Sequence, residues 1–396
     1  MSLNSTPSGE RIHIGFFGRR NAGKSSLVNA VTGQNLAIVS EVAGTTTDPV
    51  YKAMELLPLG PVTIIDTAGL DDDGLLGEMR VKKTRQVLNK TDIAVLVVDG
   101  TVGFTPEDQE LLELIRAKDI PHLTVMNKCD EGDVPGGDLC VSALTGRNIH
   151  ELKERIASLA QPDEGKHPLI ADLISPNDLV VLVVPIDSAA PKGRLILPQQ
   201  QVIRAVLESG AASVVVRESE LADTLTRLKQ PPKLVVTDSQ AFGKVSAVVS
   251  ETVPLTSFSI LFARYKGDLE LTVRGVTTLD SIRSGDRILI SEGCTHHRQC
   301  DDIGTVKLPR WIREYTKAEP EFCFTSGTEF PEDLSPYRMV VHCGGCMLNA
   351  REMRYRQRHA QDCGVPITNY GITIAYTHGI LSRSLAPFPH IAALLS

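Results

Sequence analysis

The sequence predicts an α/β chain of three domains, and three observations lead there. At 396 residues the chain has room for two or three hydrophobic cores. Strand-sized apolar runs alternate with helix-length amphipathic stretches, the pattern of parallel sheets flanked by helices. The eight cysteines are unevenly placed: five fall between Cys294 and Cys346 and Cys363 follows, so the chemistry of the thiols belongs to the last third. The expected layout is an N-terminal α/β domain over 1–163 and two smaller α/β units over 169–265 and 266–396. The first boundary is the Pro-, Gly- and charge-rich stretch 160–168.

Composition narrows the function classes. Hydrophobic residues at 42% and charged residues at 22% exclude wholesale disorder and fibrous repeats. A balance of 41 basic against 48 acidic side chains gives a net charge of −7, which offers no positive field for a nucleic-acid backbone. No stretch approaches 18 consecutive apolar residues, and the opening MSLNSTPSGE lacks the charged-then-apolar pattern of a signal peptide. The expectation is therefore a cytoplasmic protein with neither a nucleic-acid nor a membrane partner. Eight cysteines in a chain of this length are too few for a disulfide scaffold.

The first domain opens with RIHIGFFG (11–18) as a strand, then a tight glycine loop, then a helix from Ser26. Gly18-Arg-Arg-Asn21-Ala22-Gly23-Lys24-Ser25 matches G-x-x-x-x-G-K-[ST] in that strand–loop–helix context. Such a loop wraps phosphates with backbone N–H groups from Gly18 to Ser26, while Lys24 reaches the β/γ oxygens and Ser25 holds Mg²⁺. The threonine-rich EVAGTTTDP (41–49) follows, and the Thr46 hydroxyl is placed to close over the γ-phosphate and its Mg²⁺. A strand at Val62–Ile65 then ends in Asp66-Thr67-Ala68-Gly69, where Asp66 holds the metal's water shell and the Gly69 N–H senses the γ-phosphate. Further strands are expected at Ile93–Asp99 and His122–Met126, with a helix from Pro106 to Lys118 between them.

The base is chosen next. In Asn127-Lys128-Cys129-Asp130 the Asp130 carboxylate can accept from guanine N1–H and N2–H₂, which adenine does not offer, and Lys128 lies along the ring. A wrong base leaves the carboxylate unpaired at about 1–3 kcal/mol or more, so GTP is favoured over ATP. Ser142-Ala143-Leu144 completes the pocket, and a helix from Asn148 to Leu159 closes the domain.

Across residues 10–160, GRRNAGKSS, GTTTD, DTAGL, NKCD and SAL resemble the Era and MnmE (tRNA-modification) type of GTPase. Leu70 stands where many GTPases carry a water-orienting glutamine. The resemblance implies that K⁺, held in part by Asn21, supplies the missing positive charge to the transition state. From the residues alone, Asn21 could equally serve the turn.

In the middle region the pattern runs strand (Leu179–Ile186), Pro- and Gly-bearing loop (Asp187–Leu197), helix (Gln199–Glu208), strand (Ser213–Val216), helical ELADTLTRL and strand (Lys233–Thr237). It has no second glycine fingerprint, and the loop suits a ligand or a subunit contact equally.

The last third holds the thiols. After a helical stretch around Asp268–Leu279 and a strand at Arg287–Ser291 comes Cys294-Thr-His296-His297, and about 45 residues later His342-Cys343-Gly344-Gly345-Cys346. Cys343 and Cys346, three positions apart around two glycines, can bend onto one metal, with Cys294 as a third soft ligand. The spacing allows zinc with His296 or His342 as fourth ligand, an iron–sulfur cluster on three thiolates, or a redox C-x-x-C pair. Cys300 reads as a non-ligand loop residue, Cys323 and Cys363 as core or pocket wall, Cys129 as a variable filler within NKCD, and Cys140 as packing near the base-site strand. Arg351, Arg354 and Arg356 follow on a helix, as a solvated face or an anion-docking surface. A last strand is expected at Ile372–Tyr376.

An N-terminal GTPase joined to C-x-H and, at this distance, H-C-x-x-C resembles the HydF family of [FeFe]-hydrogenase maturation GTPases, and the likeness includes PIDSAAPKGRLILPQQQ (185–201). The resemblance implies a GTPase, a dimerisation and a cluster-binding domain, and a scaffold or carrier that assembles or delivers the hydrogenase's diiron subcluster. It implies a [4Fe–4S] cluster on Cys294, Cys343 and Cys346, with His296 and His342 near the open iron. It also implies a homodimer whose partners are radical-chemistry maturation enzymes and the apo-[FeFe]-hydrogenase. Two other readings remain at this point, a GTPase switch with a structural zinc domain and an RNA-modification-associated GTPase.

Overall fold

The computed structural model describes residues 6–33, 49–67, 83–130, 132–160, 167–186, 195–293, 302–327 and 329–395. The chain forms two compact units, Met1–Glu164 and Gly165–Ser396.

The first unit is built on a six-stranded sheet in the order β2-β3-β1-β4-β5-β6. Its strands are β1 (Ile12–Phe17), β2 (Val50–Leu56), β3 (Gly60–Asp66), β4 (Ile93–Asp99), β5 (His122–Asn127) and β6 (Leu139–Cys140). All neighbours are parallel except β2, which runs antiparallel to β3 along the edge. The central β4, IAVLVVD, is buried at every position, as an unbroken apolar run must be when helices cover both faces. Helices Lys24–Thr32 and Ile149–Leu159 pack into one core cluster with Ile14, Ile64 and Val95, while Leu111, Leu112 and Ile115 of helix Pro106–Ala117 join Leu96 and Val98 on the other. That last helix starts sharply because Thr105 and Asp108 form a capping box ahead of Pro106. Strand β2 was not anticipated: six of its seven residues are at least partly exposed, so it lacks the alternation that marks a half-buried strand.

The second unit carries two parallel four-stranded sheets. One has the order β10-β9-β7-β8, from β7 (Leu179–Val183), β8 (Ala212–Val216), β9 (Leu234–Thr237) and β10 (Leu255–Ser257). The other has the order β12-β11-β13-β14, from β11 (Arg287–Ser291), β12 (Glu321–Thr325), β13 (Met339–His342) and β14 (Ile367–Asn369). Leu182 and Val236 of the first sheet, Phe258 and Leu261 of helix Phe258–Lys266, and Ile288, Ile290 and Val341 of the second lie in one buried cluster.

Three expectations are corrected here. Residues Ile372–Tyr376 are not a strand: they lie in helix Tyr370–Thr377, and the strand is the preceding β14. Asn369 caps that helix by accepting from the Ile372 N–H, and a short apolar run has no periodicity to separate buried helix from buried strand. Arg356 is fully buried rather than on a solvated face. Cys363 is exposed rather than part of a core.

Candidate functional site

The P-loop joins the end of β1 to helix Lys24–Thr32. Gly23 has φ +88°, and a Cβ there would stand 2.2 Å from Asn127 Nδ2, so only glycine lets the loop turn this close to the base-recognition strand. Asn127 ties both motifs together: Nδ2 donates to the Ala22 carbonyl at 3.0 Å and Oδ1 accepts from the Ala143 N–H at 3.1 Å. Asn21 is exposed with φ +60°, a left-handed conformation that asparagine tolerates.

Buried Lys24 donates through Nζ to the carbonyls of Gly18 (2.9 Å) and Arg19 (2.7 Å). Ser25 Oγ donates to Asp66 Oδ2 at 2.6 Å. Burial raises the Asp66 carboxyl above its ordinary range, opposed by the Ser25 hydrogen bond and the Lys24 charge. Its other oxygen, Oδ1, is buried with no hydrogen-bond partner among the described residues. A hydroxyl beside a carboxylate with an orphaned oxygen fits Mg²⁺, which takes one or two protein oxygens and keeps its waters.

At the base end, Lys128 has φ +64° and its Nζ meets Asp99 Oδ2 at 2.6 Å. Burial pushes Asp99 up, but hydrogen bonds from Lys128 and Thr101 outweigh it and hold the carboxyl below its usual range. The Ser142 hydroxyl donates to Asp130 Oδ1. Lys24, Ser25, Asp66, Asn127, Lys128, Asp130, Ser142 and Ala143 thus belong to one set of connected loops at the carboxyl ends of β1, β3 and β5. Thr46 and Gly69 lie outside the described residues.

The thiol region of the second unit is placed by sheet topology. The chain leaves β11 for β12 on one side and returns to β13 on the other, so the crevice between the carboxyl ends of β11 and β13 is a switch point, where open parallel sheets hold ligands. Gly293, beyond β11, donates from N–H to Cys343 Sγ at 3.0 Å, and the Gly345 N–H reaches the same sulfur at 3.4 Å. Burial pushes the Cys343 thiol up to about 11, against the pull of those two donors. Burial also raises Cys346, opposed by the charge of Lys266 and by N–H groups of Met347 and its own residue. Among the described residues no three His, Cys, Asp or Glu side chains converge as a metal site. Cys294 and His296 lie outside the described residues, so the structure supplies Cys343 and Cys346 with their N–H donors. That chemistry fits a thiolate-held metal, because hydrogen bonds to sulfur stabilise the anionic ligand.

His342, at the end of β13, is buried with both ring nitrogens engaged: Nδ1 with the Cys343 carbonyl at 2.7 Å and Nε2 with Arg356 Nη1 at 3.0 Å. Arginine stays protonated, so Nε2 must accept and Nδ1–H donates. Burial first, and the Arg356 charge second, pull His342 down to about 3. Arg356 also binds Glu352 Oε1 (2.9 Å) and the Gly327 carbonyl (2.9 Å). The recurrence of Glu352, Arg356 and Ala360 every four residues could have marked them as an inward face.

Comparison with known proteins supplies the family. Residues 169–267 match the hydrogen maturase F dimerization domain, 270–387 its tetramerization domain, and 13–128 a 50S ribosome-binding GTPase domain. The tRNA modification GTPase MnmE of Nitrosospira multiformis is 34% identical over 175 residues, 41% of this chain and 38% of that one. The MnmE of Chromobacterium violaceum is 40% identical over 129 residues, 32% of this chain and 28% of that one. The chain therefore matches only about a third of the length of these relatives. A crystal structure of Era with MgGDPNP and 16S ribosomal RNA is 19% identical with a TM-score of 0.35, covering 52% of this chain and 92% of that one. The two hydrogen maturase F domains together span more than half of the sequence, and the chain, with its GTPase domain in front of them, belongs to the hydrogen maturase F family.

Proposed function

We propose that this protein is a GTP-hydrolysing scaffold or carrier in [FeFe]-hydrogenase maturation. It would bind Mg²⁺–GTP in the first unit and a [4Fe–4S] cluster in the second, through Cys343, Cys346 and Cys294. The observation that carries the reading is the half-buried Cys343–Cys346 loop at a sheet switch point, with backbone N–H donors on the Cys343 sulfur, in a chain that also carries a complete P-loop. The cluster would supply an iron with an open coordination position, and the diiron unit would be cargo rather than a resident group.

In the nucleotide site, Lys24 would exchange its two carbonyl partners for β/γ-phosphate oxygens, and Ser25 and Asp66 would hold Mg²⁺ directly and through water. Asp130 would read guanine, with Asn127 keeping its loop against the P-loop. Asn21 would help hold K⁺ in place of the missing glutamine, and Thr46 and Gly69 would report the γ-phosphate. Hydrolysis then biases partner association or release rather than driving metal chemistry. The partners in this reading are a second copy of the chain, radical-chemistry maturation enzymes and the apo-hydrogenase.

Purification without oxygen, with a visible spectrum and iron, sulfide and zinc analysis, tests the cluster. Brown protein with iron and sulfide is expected, and stoichiometric zinc would defeat the reading. Replacing K⁺ by Na⁺ should slow GTP turnover sharply, and an unchanged rate would remove the role of Asn21.

A further inference from the structure

Lys266 is the last residue of helix Phe258–Lys266 and lies within the dimerization-domain match, yet it is only 2% exposed. Its ammonium does not reach solvent. It donates to the carbonyl of Cys346 at 3.3 Å and to that of Leu348 at 2.9 Å, both in the tetramerization-domain match. It also shares with Cys343, His342, Gln357 and Thr368 the wall of a cavity of about 10 Å³, room for one water. The charge therefore stands beside Cys346, and the same small cavity borders Cys343.

The lysine is held there from two sides. A Cβ on Gly267 would stand 2.6 Å from Gln357 Oε1, so the chain leaves the helix tight against helix Ala350–Asp362. Gln357 Oε1 then accepts from the Asp268 N–H at 2.9 Å. Burying an ammonium costs roughly several kcal/mol in effective terms. A lysine in this position is useful where negative charge accumulates, as it does when thiolates hold a metal. A fixed cation in a poorly solvated site stabilises the thiolate ligands and favours the more reduced, more negative state of the centre they carry.

We propose that Lys266 is a positioning residue of the thiol site, a buried counter-charge lent by the dimerization domain that strengthens metal–thiolate binding and raises the centre's reduction potential. The inference rests on the reading that Cys343 and Cys346 hold a metal centre, but it holds for any thiolate-bound metal.

Three variants of the full chain separate charge from clamp. Lys266→Arg keeps both charge and donors, Lys266→Gln keeps donors and drops the charge, and Lys266→Met drops both. Two quantities are read: Co²⁺ affinity of the metal-free chain, from the sulfur-to-cobalt absorption that Cys346→Ser abolishes, and the midpoint potential of the reconstituted cluster. Expected are a roughly tenfold weaker Co²⁺ affinity in Lys266→Gln and Lys266→Met, and a fall in potential of about 59 mV, the one-electron equivalent of tenfold. Lys266→Arg should stay near the parent in both. If Lys266→Gln matches the parent, the residue is a clamp and the counter-charge is overturned, whether or not Lys266→Met folds. If the parent carries zinc instead of a cluster, the cluster reading fails while the Co²⁺ comparison still decides the role of Lys266. If the parent binds neither cobalt nor a cluster at these thiols, both ideas fall.

Discussion

The nucleotide loops of the first unit and the thiol loop of the second both lie at the carboxyl ends of parallel strands, but they are assembled differently. In the first, contiguous motifs bond to one another: Lys24 to carbonyls five and six residues away, Ser25 to Asp66, Asn127 to the P-loop and to Ala143. In the second, the motif HCGGC brings sulfur and glycine, while its charges come from elsewhere: Arg356 onto His342, and Lys266 onto Cys346 and Leu348 from 80 and 82 residues away. A site that binds a mobile, exchangeable ligand keeps its chemistry in loops. The thiol loop instead has buried charge brought to it by residues distant in sequence.

The largest effect that would break this contrast is on stability. Arg356→Met leaves Glu352, about 5% exposed, without its ion-pair partner and strips His342 of its donor. Removing one member of a buried pair costs about 3–5 kcal/mol, so urea unfolding should shift by that amount for the second unit and leave the first unit's transition in place. A shift below about 1 kcal/mol would mean the network is solvated in practice and the contrast is overstated. Next comes Lys24→Ala, for which kcat/KM for GTP should fall roughly hundredfold or more, the scale of losing one charge-stabilising donor at the reacting phosphate. GTP hydrolysis assays on the full chain check it.

How far each site was legible follows from the same contrast. The P-loop, NKCD and HCGGC are contiguous, so residue type and spacing suffice to name Lys24, Asp130 and Cys343 before any fold is known. The parallel sheets were legible as well, because β4 and β11 are nearly continuous apolar runs with glycine or polar boundaries. Lys266 was not, since it ends an apolar helix where a lysine ordinarily reaches solvent, and only the packing of Gly267 against Gln357 buries it. Arg356 sat in an arginine-rich stretch whose inward face is set by tertiary contact with β13. The helix at Tyr370–Thr377 was hidden because a core run such as ITIAY has no polar face to give it a period.

A smaller effect sharpens the contrast through pH. The fold holds His342 near 3 against an ordinary 6.5, so the unfolded chain takes up a proton below about 6.5 that the folded one refuses. The shift costs nothing above 6.5 and destabilises the fold progressively as pH falls from 6.5 towards 3, at about 1.4 kcal/mol per pH unit. In the metal-free protein the second unit should weaken by about that much per unit below 6.5, and His342→Gln should flatten this part of the profile. An unaltered profile in the variant would show that His342 is protonated in the fold, contrary to its bond from Arg356.

The smallest expected effect lies in the thiol loop itself. Gly345 has φ +61°, and a Cβ there would sit 2.5 Å from Met353 Sδ, the flexible end of a side chain that can yield. Its neighbour Gly344 has no such requirement, since a Cβ there meets nothing within 4 Å. Gly345→Ala should therefore cost about 1–2 kcal/mol of backbone strain, while Gly344→Ala should be nearly neutral. The pair is informative because the Gly345 N–H is one of the two donors to Cys343 Sγ. If the left-handed turn positions that donor, Gly345→Ala will weaken Co²⁺ binding at the thiols more than its unfolding free energy alone implies, and Gly344→Ala will leave it unchanged. Equal behaviour of the two variants would place the loop's conformation under the control of the metal rather than of the turn, and the second site would then resemble the first, a loop shaped by what it binds.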